Sequence, residues 1–389
     1  MPAEWIWLIF LFALGGCVGS FLNVVIYRLP REKSLVNPPS TCPQCDRRIQ
    51  FYDNIPFVSW LVLRGRCRYC KTRISPRYFV IELLTALLFV GVFLFYFSGN
   101  YRQIGISATT PLGKFVAGGW LFYITSMVLL SAFLAASAID LELWVIPLSI
   151  CWFVSLVGLL SASLGGYVIE PAVIWTYKLF PSASARTGAL TAGATVGLVI
   201  SLVLLWRGII KPSYGIEHVE DEAPNGDKEP QYNDRREVMK EVVFLLPVII
   251  CSVAAFWFSE KTALGRNWWH DFSQLPVITG LLGSLWGYFV GGAVVWATRI
   301  LGTIGFGKEA MGLGDVHLMA AAGTVIGPVF VVIAFFVAPF FGLAWAGYQM
   351  LFKKTRQIPY GPFLSLGVFA VMIFHDWIQA YISSIFTYG

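Results

Sequence analysis

WIWLIFLFALGGCVGSFLNVVI, residues 5–26, contains no charged side chain. As a helix with a rise of 1.5 Å per residue it would cover ~33 Å, enough to cross a hydrocarbon core of ~30 Å. No basic segment precedes the run and no small-residue cleavage site follows it, so it reads as a retained first span rather than a secretory signal. Further apolar runs follow at roughly 78–98, 116–139, 144–164, 188–206, 242–259, 275–299, 316–327 with 328–351 across a Gly-Pro break, and 361–386. Counting the broken segment as one or two gives nine or ten spans. With 57% apolar and 13% charged residues and a mean hydropathy of +0.68, the expected fold is an all-α polytopic membrane protein whose first partner is the lipid bilayer.

Immediately after the first run lies a polar loop, 28–77, with eleven Lys and Arg against Glu32, Asp46 and Asp53. By the positive-inside rule it faces the cytoplasm. It carries Cys42-Pro43-Gln44-Cys45 and Cys67-Arg68-Tyr69-Cys70. Two C-x-x-C knuckles about twenty residues apart can bring four thiolates together tetrahedrally, as structural zinc prefers. Paired disulfides are the alternative, which a reducing compartment disfavours. The expectation is a small zinc-ribbon-like loop ligated by Cys42, Cys45, Cys67 and Cys70. Cys17, Cys151 and Cys251 lie in apolar runs and read as small buried hydrophobes. The net charge of +6 sits beside spans and needs only the topological explanation, so no nucleic-acid partner is implied.

Counting spans onward, with the broken segment taken as two, places the stretches near 140, 207–241, 300–315 and 352–360 on the side of the basic loop. Arg207, Lys211, Arg299, Lys353, Lys354 and Arg356 agree. Residues 211–241, rich in both charges and broken by Pro212, Pro224 and Pro230, read as a flexible loop or small excursion. Stretches 99–115 and 165–187 read as short external loops.

Two carboxylates stand at the ends of apolar runs. Asp140 ends LLSAFLAASAID, and Asp315 follows Gly312-Leu313-Gly314 directly before VHLMAAAGTVIG. A carboxylate at membrane depth costs ~2.5–3.5 kcal/mol on insertion scales, so it marks a partner or a wet cavity; the plain alternative is a solvated position among headgroups. Glu142, two residues on, makes the first carboxylate less singular, whereas Gly312 and Gly314 allow a tight turn and close approach of a substrate backbone at the second. Two carboxylates from different helices can share one proton and activate water for peptide hydrolysis. Intramembrane acids also serve as relays in ion or proton transporters, and a zinc loop alone would suit a non-catalytic membrane scaffold. No H-E-x-x-H or G-x-S-x-G motif competes, and His218, His270, His317 and His375 are scattered.

An ordered set of blocks carries a family resemblance: GSFLNVVIYRLP at 19–30, the two C-x-x-C knuckles, SPRYFVIELLTALLF at 75–89, IDLELWVIP at 139–147, EAMGLGDVHLMAAAG at 309–323 and IPYGPFLSLG at 358–367. Together they resemble the bacterial prepilin peptidases, or type IV leader peptidases, membrane aspartic proteases of the GxGD kind. The resemblance implies cleavage of the short basic leader of prepilins and pseudopilins at the cytoplasmic face of the bacterial inner membrane, with Asp140 and Asp315 as the catalytic pair and Glu142, Gly312, Gly314 and His317 in support. It further implies N-methylation of the new terminus with S-adenosylmethionine by the N-terminal region, 1–100, beside a peptidase membrane domain over 116–389. Gly19, Asn23, Arg28 and Glu82 fall in the matching blocks without an assignable role. Three departures stand out: His317 where the family usually has Lys, Glu142 in place of a second aspartate, and a long separation of Asp140 from Asp315 that holds two extra spans flanking 211–241.

Overall fold

The computed structural model describes residues 2–37, 39–42, 44–213, 233–352 and 359–387. The central part of the 211–241 loop, residues 214–232, lies outside the described residues, as do Pro43, Lys353, Lys354, Arg356 and Ile358. The described chain is helical: α1 Pro2–Arg28, α2 Val58–Val62, α3 Pro76–Phe93, α4 Pro111–Lys114, α5 Trp120–Leu143, α6 Leu148–Val168, α7 Pro171–Tyr177, α8 Ala185–Trp206, α9 Asp234–Lys261, α10 Ala263–Ser273, α11 Pro276–Phe306, α12 Leu313–Ile326, α13 Pro328–Phe352, α14 Gly361–Ile373 and α15 His375–Thr387. Among the described residues the only β pairing is two isolated bridges in the cysteine loop.

Eight helices are long and apolar enough to cross a membrane, or nine when α14 and α15, bent by 73° at their break, count as one span. The number, eight or nine, meets the nine or ten expected only at nine, for a local reason. The segment 316–351 breaks where Gly327 takes φ +85 before Pro328, leaving α12 only 14 residues long. That is ~21 Å, short of a bilayer core. Instead α12 is wrapped in protein, with Val316 and every residue from Leu318 to Val325 buried.

Helix boundaries follow from capping chemistry. Ser75 caps α3, its hydroxyl accepting from the Arg77 N–H ahead of Pro76, and Ser184 and Thr187 form a reciprocal capping box on α8. Trp144 at φ 58 closes α5, its N–H donating to Asp140 O, and Pro147 then delays α6 to Leu148. The stretch 165–187, expected as loop, carries the end of α6 and the short α7.

The chain divides into two compact units. In the first, residues 1–157, 167–179 and 336–389, α1 lies along α3 through small residues. A Cβ on Gly15 would stand 2.7 Å from the Ala86 Cα, and one on Gly19 would stand 2.6 Å from the Glu82 Cα. This is the small-xxx-small contact that lets membrane helices meet at the backbone. Above it Trp7, Phe93, Phe97, Phe115 and Tyr123 form an aromatic cluster, the Tyr123 hydroxyl donating to Phe89 O at 2.7 Å. α14 packs on α5, where Ser137 and Ser365 hydroxyls meet at 2.8 Å.

In the second unit, residues 158–166 and 180–335, two helix pairs dominate: α8 with α9, and α11 with α12. Both are glycine contacts. Cβ atoms built on Gly287 and Gly323 would each fall within 2.0 Å of the other's carbonyl oxygen, and those on Gly193 and Gly197 would come within 2.4 Å of backbone oxygens of α9. Side chains add bonds across the same seams, from Ser284 Oγ to Thr324 O at 2.7 Å and from Ser201 Oγ to Phe244 O at 2.7 Å.

Candidate active site and metal centre

The four cysteines of the basic loop converge. Their sulfurs all lie within 4.8 Å of one another, and Cys42 and Cys70 Sγ are 3.7 Å apart. With Zn–S bonds of ~2.3 Å, tetrahedral ligands stand ~3.8 Å apart, so the set fits one metal ion. All four thiols are free, so they form no disulfide pairs. The two knuckles repeat one turn. Cys42 N–H donates to Arg47 O and Asp46 N–H returns to Cys42 O; Cys67 N–H donates to Thr72 O and Lys71 N–H returns to Cys67 O. The residue after each second cysteine, Asp46 at φ 52 and Lys71 at φ 58, takes the left-handed turn that aims both sulfurs to one side. A hydrogen bond from the Cys70 backbone holds the Cys67 thiol down at about 7. Although the Thr72 N–H favours its thiolate, burial and the neighbouring sulfurs push Cys70 up to about 11. Four close sulfurs cannot all ionise without a cation to absorb the charge.

Asp140 occupies the last turn of α5 and is buried. Its Oδ2 accepts the backbone N–H of Gly361, at the start of α14, at 3.0 Å. Glu142 turns elsewhere and forms an ion pair with Arg77 from the first turn of α3. In the second unit Asp315, also buried, stands in the first turn of α12, where the helix dipole favours a carboxylate. Gly312 is the N-cap, and a Cβ there would sit 3.5 Å from Asp315 Oδ2. Gly314 and His317 are placed on the same helix, His317 half-buried.

Two polar sites went unread in the sequence. Glu82, without a role beforehand, accepts the N–H of Phe57 at 2.8 Å; Phe57 has φ 52, and its ring covers Gly16 of α1. The carboxylate thus ties the cysteine loop to the first two spans. Arg299, which served only as a topological charge, is 2% exposed and bound to Glu241 and Glu309. The available signal was the same in both cases: an ionisable residue within or at the edge of an apolar run.

Taken together, the described chain is a polytopic α-helical membrane protein with buried carboxylates at helix ends and a four-thiol cluster that could hold a metal ion. The model of the bacterial peptidase A24 N-terminal domain matches residues 13–96, and that of the type IV leader peptidase family matches residues 239–347. A prepilin leader peptidase/N-methyltransferase of Aeromonas hydrophila is 34% identical over 217 residues, covering 46% of this chain and 67% of its own. One from Myxococcus xanthus is 44% identical over 142 residues, only 36% of either chain. A type 4 prepilin-like proteins leader peptide-processing enzyme of Escherichia coli is 26% identical over 376 residues, 92% of this chain and 90% of its own. The chain belongs to the type IV leader peptidase family, a family of peptidases. No solved structure matches it. The two family matches take in the four cysteines and Asp315 and leave Asp140 and Glu142 outside.

Proposed function

We propose that the protein is a membrane aspartic endopeptidase that removes the short basic leader of type IV prepilins and pseudopilins, and that it N-methylates the new terminus. The observation that carries the peptidase reading is a buried carboxylate at the end of each of two apolar helices, Asp140 beside the Gly361 N–H and Asp315 beside Gly312, in a chain of this family. As a pair sharing one proton, the ionised member takes a proton from water while the protonated member hydrogen-bonds the scissile carbonyl; the peptide bond is hydrolysed with no covalent enzyme intermediate. Gly361 lets the start of α14 come close enough to bond Asp140, and Gly312 and Gly314 before Asp315 allow close approach of a substrate backbone. Glu142, Gly312, Gly314 and His317 act in support, Glu142 through its ion pair with Arg77.

The basic loop supports a cytoplasmic active face in the bacterial inner membrane, with the apolar part of the substrate in the bilayer and its charged leader in water. Zinc is the metal that four thiolates in this arrangement favour, and its role is to fold the loop. S-adenosylmethionine, when bound, supplies the methyl group. The residues of the first unit that fit such a polar ligand are Asn23, whose Oδ1 is buried without a hydrogen-bond partner, and Glu82, which offers an acceptor for an amine. Co-expression with a type IV prepilin and mass analysis of the pilin tests both activities. The expected product lacks the leader and carries one methyl group; an intact prepilin overturns the peptidase reading, and a shortened, unmethylated pilin overturns the second activity alone.

A further inference from the structure

The stretch from α11 to α12 is tied down along its length. α11 ends where Gly307 takes φ +67, its N–H donating to Thr303 O at 2.9 Å. The chain then folds back over the last turns of α11. Ala310 N–H donates to Thr303 Oγ1 at 3.2 Å, and Ala310 lies so close over Gly302 that a Cβ there would stand 2.7 Å from its methyl group.

Arg299 completes the fixation from beneath. Its Nη1 donates to Glu309 Oε1 at 2.5 Å and to the carbonyl of Met311, the residue directly before the N-cap Gly312. The opposite edge of the guanidinium meets Glu241 of α9, with Nε and Nη2 donating to Oε1 at 3.1 and 3.0 Å. Trp296 Nε1 in turn donates to Glu241 Oε2 at 2.6 Å. A guanidinium buried to this degree requires a counter-charge, and its planar fork bridges two carboxylates and a carbonyl at once, which a lysine ammonium cannot do in the same geometry.

We propose that Arg299 is a positioning residue for Asp315, and that α9 supplies through Glu241 the counter-charge that keeps Arg299 in place. The clamp fixes Met311 O and thereby the Gly312 cap from which Asp315 projects into the first turn of α12. The inference rests on the reading of Asp315 as a catalytic carboxylate.

The test uses the purified full chain, a prepilin substrate and the variants Arg299→Lys, Glu241→Gln and Glu309→Gln, with Asp315→Asn as reference. Amide hydrogen exchange over 308–315 should accelerate about tenfold or more in Arg299→Lys and Glu241→Gln, and less in Glu309→Gln, which alters only the exposed arm. In the first two variants kcat should fall by about tenfold or more with KM little changed, as expected when a reacting group is misplaced and substrate binding is left intact. Wild-type exchange and kcat in folded Glu241→Gln and Arg299→Lys would overturn the positioning role, as would a rise in KM alone. Should Arg299→Lys fail to fold, Glu241→Gln and Glu309→Gln decide the matter by the same two measurements. Full cleavage by Asp315→Asn would remove the catalytic reading itself, whereas an inactive Asp315→Asn beside wild-type-like clamp variants removes only the clamp.

Discussion

The backbone N–H of Gly361 donates to Asp140 Oδ2 at 3.0 Å, and a Cβ at position 361 would meet that same oxygen at 2.7 Å. The helix start of α14 and the carboxylate of α5 are therefore fitted to each other, with no room for a side chain between them. Gly361→Ala must displace one or the other. Leader cleavage should drop by about tenfold to a hundredfold, the scale set by misplacing a reacting group by ~1 Å. Initial rates on a purified prepilin, compared with the melting temperature, check this; an Ala variant with full activity would show that Asp140 tolerates the shift.

Asp140→Asn and Asp315→Asn should each abolish cleavage while protein abundance stays near normal, because the amide keeps size and hydrogen bonding but carries no titratable proton. Glu142→Gln should be mild. Its pair with Arg77 is partly solvated, and such pairs contribute ~0–1 kcal/mol. Immunoblots of prepilin processing in cells expressing each variant distinguish these outcomes, and processing by either Asn variant would reassign that carboxylate.

Purification without chelators should yield about one zinc ion per chain by elemental analysis, bound by Cys42, Cys45, Cys67 and Cys70. Apparent binding energies of ~10–16 kcal/mol are available to such sites at neutral pH. Because the ligands bind as thiolates, metal retention should weaken as the pH is lowered. Cys42→Ser and Cys67→Ser should lose the metal and expose the loop to proteolysis, with a smaller effect on leader cleavage. Metal-free protein with a protease-resistant loop would count against the site.

Gly323→Val should lower stability by about 1–3 kcal/mol or more, since the new Cβ would lie 2.0 Å from Gly287 O and must push α11 and α12 apart. Gly305→Ala, in the last turn of α11 with nothing within 4 Å of its Cβ, should be neutral or stabilise by up to ~1 kcal/mol through helix propensity. Thermal unfolding in detergent separates the two; equal melting temperatures would contradict the close packing of α11 on α12.

Long-range periodicity and local chemistry are readable in the chain alone. The uncharged run 5–26 becomes a spanning helix because length and hydropathy by themselves set that requirement. The two C-x-x-C knuckles become a four-thiol cluster because each is a local turn with a fixed sulfur direction. Residues Asp140 and Asp315 were legible as acids at the ends of apolar runs, and both are buried at helix termini. The Gly-Pro break after α12 was legible, but sequence could not say that the stretch before it is a protein-wrapped helix too short to span, since burial by neighbouring helices and immersion in lipid select the same apolar residues. Nor could it pair Glu241 with Arg299, Glu82 with Phe57, or Gly361 with Asp140, contacts whose partners are 58, 25 and 221 positions apart. Composition and spacing determine which segments leave water; which polar group each buried charge then finds is decided only when the helices pack, because a buried charge must be satisfied by whatever the tertiary fold brings within reach.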